Sequence, residues 1–320
     1  MASSHERGAG LPGYAELHCL SNFTFLRGAS HPEELVARAA ALGYAALALT
    51  DECSLAGVVR AHVAAKETGL KLVVGSEFRL AEGSKLVLLA PDRRAYGALC
   101  ALISTTRRRA PKGRYALGRE DLERAAAGGL LALLARTDSV SEARWFGERF
   151  ADRAWIAAEL HCGPDDAAEL ARLRALSHAS GLPLVAAGDV HMHLRSRRRL
   201  QDALTAVRLG KPLRECGFAL HPNGERHLRG RARLAQLYPP ELLAETLAIA
   251  ERVTFSLDSL RYEYPQELVP PGETPASWLR RLVQEGLARR FPAGAPEPVR
   301  ALVEHELALI AELGYEAFFL

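Results

Sequence analysis

Four side chains able to hold a metal ion, His18, Glu77, Asp189 and His191, each stand at or just beyond a short apolar run of strand length. Parallel strands alternating with helices bring their C-terminal ends to one rim, so residues far apart in sequence can converge there. Two imidazoles and two carboxylates suit Zn²⁺, Mn²⁺ or Fe, and clustered ions of that kind activate water against a phosphoester. His161 and Cys162 follow a further run and are weaker ligand candidates, for which strand-end packing is the expected role. His193, His221 and His227 lie in polar segments without ligand spacing and are expected to face solvent. Arg107, Arg108, Arg109 and Lys112 form a basic segment, expected to be a loop, that could contact DNA phosphates. A second basic run, Arg195 to Arg199, opens a helix beside the acidic Asp202 and Glu215.

The elements that must position these groups are legible from periodicity. Strands are expected at Ala45 to Leu49, Leu72 to Val74, Leu86 to Leu89, Leu130 to Leu134, Trp155 to Leu160 and Leu184 to Ala187. Helix-period segments separate most of them, which predicts βαβ units and a mainly parallel sheet or barrel. Ser30, with a proline two residues on and Glu33 three residues on, has the form of a helix cap. After about Arg195 the strand runs cease, and helices are expected at Ser196 to Val207, Glu241 to Arg252, Ala276 to Arg290 and Val299 to Leu313. The proline-rich Tyr264 to Pro275 reads as a connector, and the apolar ending at Leu320 reads as a cut.

Composition narrows the class. The chain's 320 residues, 48% hydrophobic and 25% charged with a net charge of +3, suit a soluble protein and neither demand nor exclude nucleic acid. The five cysteines are odd in number and lack a C-x-x-C pair, which disfavours a disulfide framework or zinc ribbon and fits a reducing cytoplasm. No signal-peptide core or membrane-length apolar run occurs.

Leu17-His-Cys-Leu-Ser, Leu49-Thr-Asp-Glu52, Gly75-Ser-Glu77 and Gly188-Asp-Val-His191 resemble, in order, the motifs of PHP (polymerase and histidinol phosphatase) domains. The first of these, with Arg107 to Gly113, His191 to Ser196 and Arg261 to Pro265, resembles the N-terminal region of bacterial C-family polymerases, in their error-prone branch acting in damage-induced mutagenesis. The resemblance implies a distorted (β/α)7 PHP barrel over about residues 14–262, after a disordered tail over 1–13. A connector over 263–275 would then lead to the first helices of a polymerase palm region over 276–320. It also implies a parent DNA-directed DNA polymerase that uses DNA, dNTPs and Mg²⁺, with the Mg²⁺ ligands outside this chain, and accessory replication or mutagenesis proteins as partners.

The chain departs from the PHP pattern at four places. Leu20 replaces the second histidine of the first motif, Glu52 replaces a histidine, Arg27 stands where an aspartate is usual, and Arg136 falls near an expected Cys or His. These changes predict a vestigial site in which Arg27 and Arg136 neutralise Glu52, Glu77 and Asp189, with no resident metal. A free-standing metal-dependent phosphoesterase is the competing reading, and a noncatalytic scaffold is the expected role of this segment.

Overall fold

The computed structural model describes residues 10–80, 83–260 and 269–320. The chain divides into two compact units, Met1–Ser259 and Leu260–Leu320. In the first unit β1 (Ala15–Cys19), α1 (Pro32–Ala41), β2 (Ala46–Leu49), α2 (Val58–Thr68), β3 (Lys71–Arg79) and β4 (Lys85–Leu89) come in order. They are followed by α3 (Arg93–Arg108), α4 (Arg119–Ala127), β5 (Leu131–Arg136), α5 (Val140–Phe150), β6 (Ala154–Ala158), α6 (Asp166–Ser180) and β7 (Leu184–Ala186). Helices α7 (Arg198–Leu209), α8 (Arg231–Leu237) and α9 (Pro240–Glu251) complete the unit. The second unit contains α10 (Pro275–Arg290), α11 (Glu297–Leu313) and α12 (Glu316–Phe319).

The seven strands pair in sequence order. The sheet curls until the segment after β7 reaches β1, where Val190 N donates to His18 O at 2.9 Å and Leu20 N donates to Val190 O at 2.8 Å. Below that junction the Glu16 carboxylate accepts from His18 N at 3.0 Å and Gly188 N at 2.8 Å, supplying acceptors at the seam between the two edge strands. Alternate residues such as Leu17, Ala48, Val87, Leu133, Ala157 and Val185 fill the interior, and Ile249, Ala250 and Val253 pack into the same core. The result is the expected distorted barrel.

Two details need correction, the place of Glu77 and the cap of α1. The sheet is mainly parallel, as expected, and β4 alone runs antiparallel, to both β3 and β5. The short β3 to β4 connection has no room for the crossover that a parallel pair requires. Accordingly β3 continues past Val74, and Glu77 lies inside the strand rather than beyond its end. The cap of α1 is His31, not Ser30, and Glu34 accepts from His31 N at 2.9 Å. Ser30 is instead held by His193, its Oγ lying 2.7 Å from His193 Nδ1 and accepting from His193 N at 2.9 Å.

Residues 1–9 and 263–268, which hold most of the expected tail and the first half of the expected connector, lie outside the described residues. No helix among the described residues is long and apolar enough to cross a membrane.

Candidate functional site

Four acids meet at the rim of the barrel: the buried Glu77 from β3 and Asp189 after β7, and the part-buried Glu159 just after β6 and Glu52 after β2. His18, next to the last residue of β1, sits among them with Nδ1 2.6 Å from Glu159 and Nε2 2.9 Å from Glu77. Asp189 Oδ1 is 3.7 Å from the same Nε2. Both of those hydrogen bonds end on carboxylates, which only accept when ionised, so both ring nitrogens carry protons. Burial would depress the His18 pKa, but the charges of Asp189 and Glu159 push it up to about 9.

Cations close the cluster. Arg27 forks onto Glu77 at 2.7 and 3.3 Å and also pairs with Glu52. Lys85 places Nζ 3.0 Å from Glu159 and 2.9 Å from Asp189, and Arg226 also pairs with Asp189. Burial opposes ionisation of Glu77, yet the His18 hydrogen bond and the Arg27 charge hold its carboxyl well below the usual range. Asp189 is held low in the same way by Arg226 and Lys85. The four carboxylates thus face Arg27, Lys85, Arg226 and protonated His18, with Arg79 a further 3.7 Å from both Glu52 and Glu77.

The loop that returns Arg27 to the rim is pinned by Asp51. Its carboxylate accepts from the backbone N–H and hydroxyl of Ser21 and from those of Thr24, at 2.6 to 3.1 Å. Leu20, fully buried, fills the place of the missing imidazole. Leu26 (φ 59°), Cys53 (φ 46°) and Asp189 (φ 41°) adopt left-handed backbone next to the cluster, strain that only a tightly determined neighbourhood sustains.

Of the four residues read as ligands, His18, Glu77 and Asp189 bring ligand atoms within 4.8 Å of one another, a candidate metal-ligating group. His191 stands one step back. Gln201 Nε2 donates to its Nδ1 at 2.8 Å, leaving Nε2–H to donate to Asp189 at 3.1 Å, and burial lowers its pKa to about 4. The donors match a metal in type, but as the side chains stand their lone pairs are spent on cations and N–H groups. The set is therefore close enough for an ion and already neutralised without one.

Arg136 does not take the part expected of it: it is exposed, lines the cavity and makes no ion pair among the described residues. Lys85 and Arg226 act instead. Neither they nor Glu159 were found in the sequence, because Lys85 opens a strand rather than ending one and Arg226 lies in a polar loop. The signal for Glu159 was present, an acid directly after an apolar run. His161 also lines the cavity and donates from Nε2 to Gly188 O at 3.1 Å, while Cys162 lies beside it with Sγ 3.5 Å from Glu225.

The histidines expected in solvent are part-buried. His221 lines the cavity, edge-on to His191 at 5.4 Å, and accepts from Arg226 Nε at 3.1 Å; His193 is tied to Ser30 and His227 to Gly224 O. The cavity holds about 780 Å³.

The first basic segment is not simply a loop. Arg107 and Arg108 end α3, and Arg107 donates to the carbonyls of Cys53 and Glu52 at 3.1 and 3.2 Å. Arg109 pairs with Asp121 at 2.6 Å, while Arg108 and Lys112 are exposed. In the second basic run, Arg198 pairs with Asp202 at 3.2 Å.

Residues 16–162 match the PHP domain family, and a seven-stranded α/β barrel whose strand ends deliver histidines and acids in this order agrees with that match. The chain as a whole is related to the N-terminal region of bacterial error-prone DNA polymerases. It is 62% identical to the error-prone DNA polymerase of Dechloromonas aromatica, over 97% of this chain and 31% of that protein. The polymerase of the same name from Methylococcus capsulatus is 59% identical over 96% of this chain and 30% of its own length. That from Pseudomonas aeruginosa strain PAO1 is 57% identical over 97% and 30%. The chain thus spans about a third of the length of the curated relatives it matches. A solved amidohydrolase from Chromobacterium violaceum is 18% identical, covering 56% of this chain and 88% of that one at a TM-score of 0.43, a likeness too low to carry an argument.

Proposed function

We propose that this chain is the N-terminal PHP module of an error-prone DNA polymerase acting in translesion synthesis during damage-induced mutagenesis, and that the module is a noncatalytic scaffold. The observation that carries the scaffold role is the ion-pair closure of the rim, in which Arg27, Lys85 and Arg226 already neutralise the acids a phosphoesterase would offer to metals. The polymerase reading rests on the 62% identity across 97% of the chain. In it, the parent enzyme extends a DNA primer with dNTPs in the cytoplasm, using Mg²⁺ held by carboxylates outside this segment. The palm region begins near Ala276, after the proline-rich connector. Arg108 and Lys112 are the exposed cations available to DNA phosphates, and accessory replication or mutagenesis proteins are the remaining partners.

A free-standing phosphoesterase is the competing reading, and one assay separates the two. Hydrolysis of bis(p-nitrophenyl) phosphate with added Mn²⁺ is expected to be no faster for this chain than for its Asp189→Ala variant. Hydrolysis that depends on Asp189 and Mn²⁺ would overturn the scaffold role. Primer extension by the full-length protein, absent from residues 1–320 alone, tests the polymerase assignment.

A further inference from the structure

The strand reversed in the sheet has a chemical consequence at the rim. Every strand running with β1 delivers its C-terminal end to the site, but β4 runs the other way and delivers its first residue, Lys85. Its ammonium enters between Glu159 and Asp189, at 3.0 and 2.9 Å, and the side chain is only 9% exposed. Glu159 and Asp189 both also approach His18, so the ammonium and the imidazole share the same two acids. A metal held by His18, Glu77 and Asp189 would meet this same carboxylate group.

We propose that the Lys85 ammonium stands in for a metal ion, and that removing its charge opens a site for one divalent cation on His18, Glu77, Glu159 and Asp189. The geometry supports the exchange. Lys85 bridges Glu159 and Asp189 at 3.0 and 2.9 Å, so its loss takes a cation from between two carboxylates that also approach His18, while Arg27 and Arg226 keep their own pairs. One imidazole and three carboxylates favour Mn²⁺ or Zn²⁺ over Ca²⁺, which takes more oxygen ligands. Arg27 and Arg226 are poorer candidates for the replacement, because both reach in from loops and a planar guanidinium matches a compact ion less well than an ammonium does.

The test is a Mn²⁺ titration of the whole chain and of Lys85→Met, which keeps an apolar stem and removes the charge. Mn²⁺ is the probe because thiols such as those of Cys162 and Cys100 would compete for Zn²⁺. Electron paramagnetic resonance counts bound ions and thermal unfolding reads their effect. The unaltered chain is expected to bind no Mn²⁺ at micromolar concentrations and to melt at the same temperature in Mn²⁺ or EDTA. Lys85→Met should melt lower in EDTA, bind one Mn²⁺ per chain and gain ~5 °C when saturated. Adding Asp189→Asn to Lys85→Met should abolish the binding.

Stoichiometric Mn²⁺ binding with Lys85 intact overturns the proposal. So does a Lys85→Met chain that is no more stable with Mn²⁺ than without it, whether or not it folds. The outcome does not depend on whether the parent protein is a polymerase.

Discussion

Arg27 is the cation shared by two acids, with its guanidinium on Glu77 and Glu52 and its side chain 11% exposed. Removing one partner of a buried pair leaves an uncompensated charge, so Arg27→Ala is expected to destabilise the chain by about 3 kcal/mol in urea unfolding. Arg27→Lys should recover only part of that loss, since one ammonium cannot fork onto Glu77 and also reach Glu52. Equal stability of Arg27→Ala and the parent would show that the pairs contribute nothing. His18 sets a pH dependence with a definite sign. Its pKa is raised from 6.5 to about 9 on folding, so its contribution is complete below about pH 6.5 and is lost as the pH rises through 9. A shift of that size corresponds to about 3 kcal/mol. Glu77 and Asp189 are depressed on folding, so their contributions are complete above the usual carboxylate range, decline as the pH falls below it and are gone once the pH passes their lower folded values. The melting temperature should therefore fall on both sides of neutrality. His18→Gln should flatten the alkaline limb in a pH series of thermal melts, and an unchanged limb would count against the charged imidazole.

At the level of elements, the loop between β1 and α1 carries Arg27, and Gly28 lets it close. A Cβ at position 28 would lie 1.9 Å from the Ser21 carbonyl oxygen, so Gly28→Ala must push apart the turn that Asp51 holds. A loss of about 2 kcal/mol is expected, and stability within about 0.5 kcal/mol of the parent would mean that the loop relaxes freely. The strands and most helices were legible because their apolar runs are bounded by Gly, Asp or Pro. Direction was not. The residues around β4 look alike for either orientation, and only the small number of residues between Arg79 and Lys85 decides it. The convergence of His18, Glu77 and Asp189 followed from the rule that parallel strands share a rim, although Glu77 lies inside its strand. Lys85 broke that rule by standing at the start of a reversed strand, and Arg226 comes from a loop that no periodicity marks. The cap of α1 was misplaced by one residue because Ser30 hydrogen-bonds to His193, a partner 163 positions away that no local pattern reveals.

For the molecule as a whole, the unit Met1–Ser259 contains the barrel, its core and the entire rim cluster. In the unit Leu260–Leu320, Leu279 and Leu307 are buried. Leu302, Leu313, Tyr315 and Phe319 are nonetheless exposed at 60, 54, 48 and 56%. A chain ending at Ser259 should then melt within ~3 °C of the full chain and aggregate less, by light scattering at equal concentration. Collapse of the shortened chain would place the C-terminal helices within the barrel's domain. The central claim is that this barrel rim is neutralised by its own side chains, and elemental analysis of protein purified without chelators and dialysed against metal-free buffer tests it most directly. The account predicts less than one transition-metal ion per chain. Two or more ions per chain that survive dialysis, and that are lost in a His18→Ala, Asp189→Ala double variant, would contradict it.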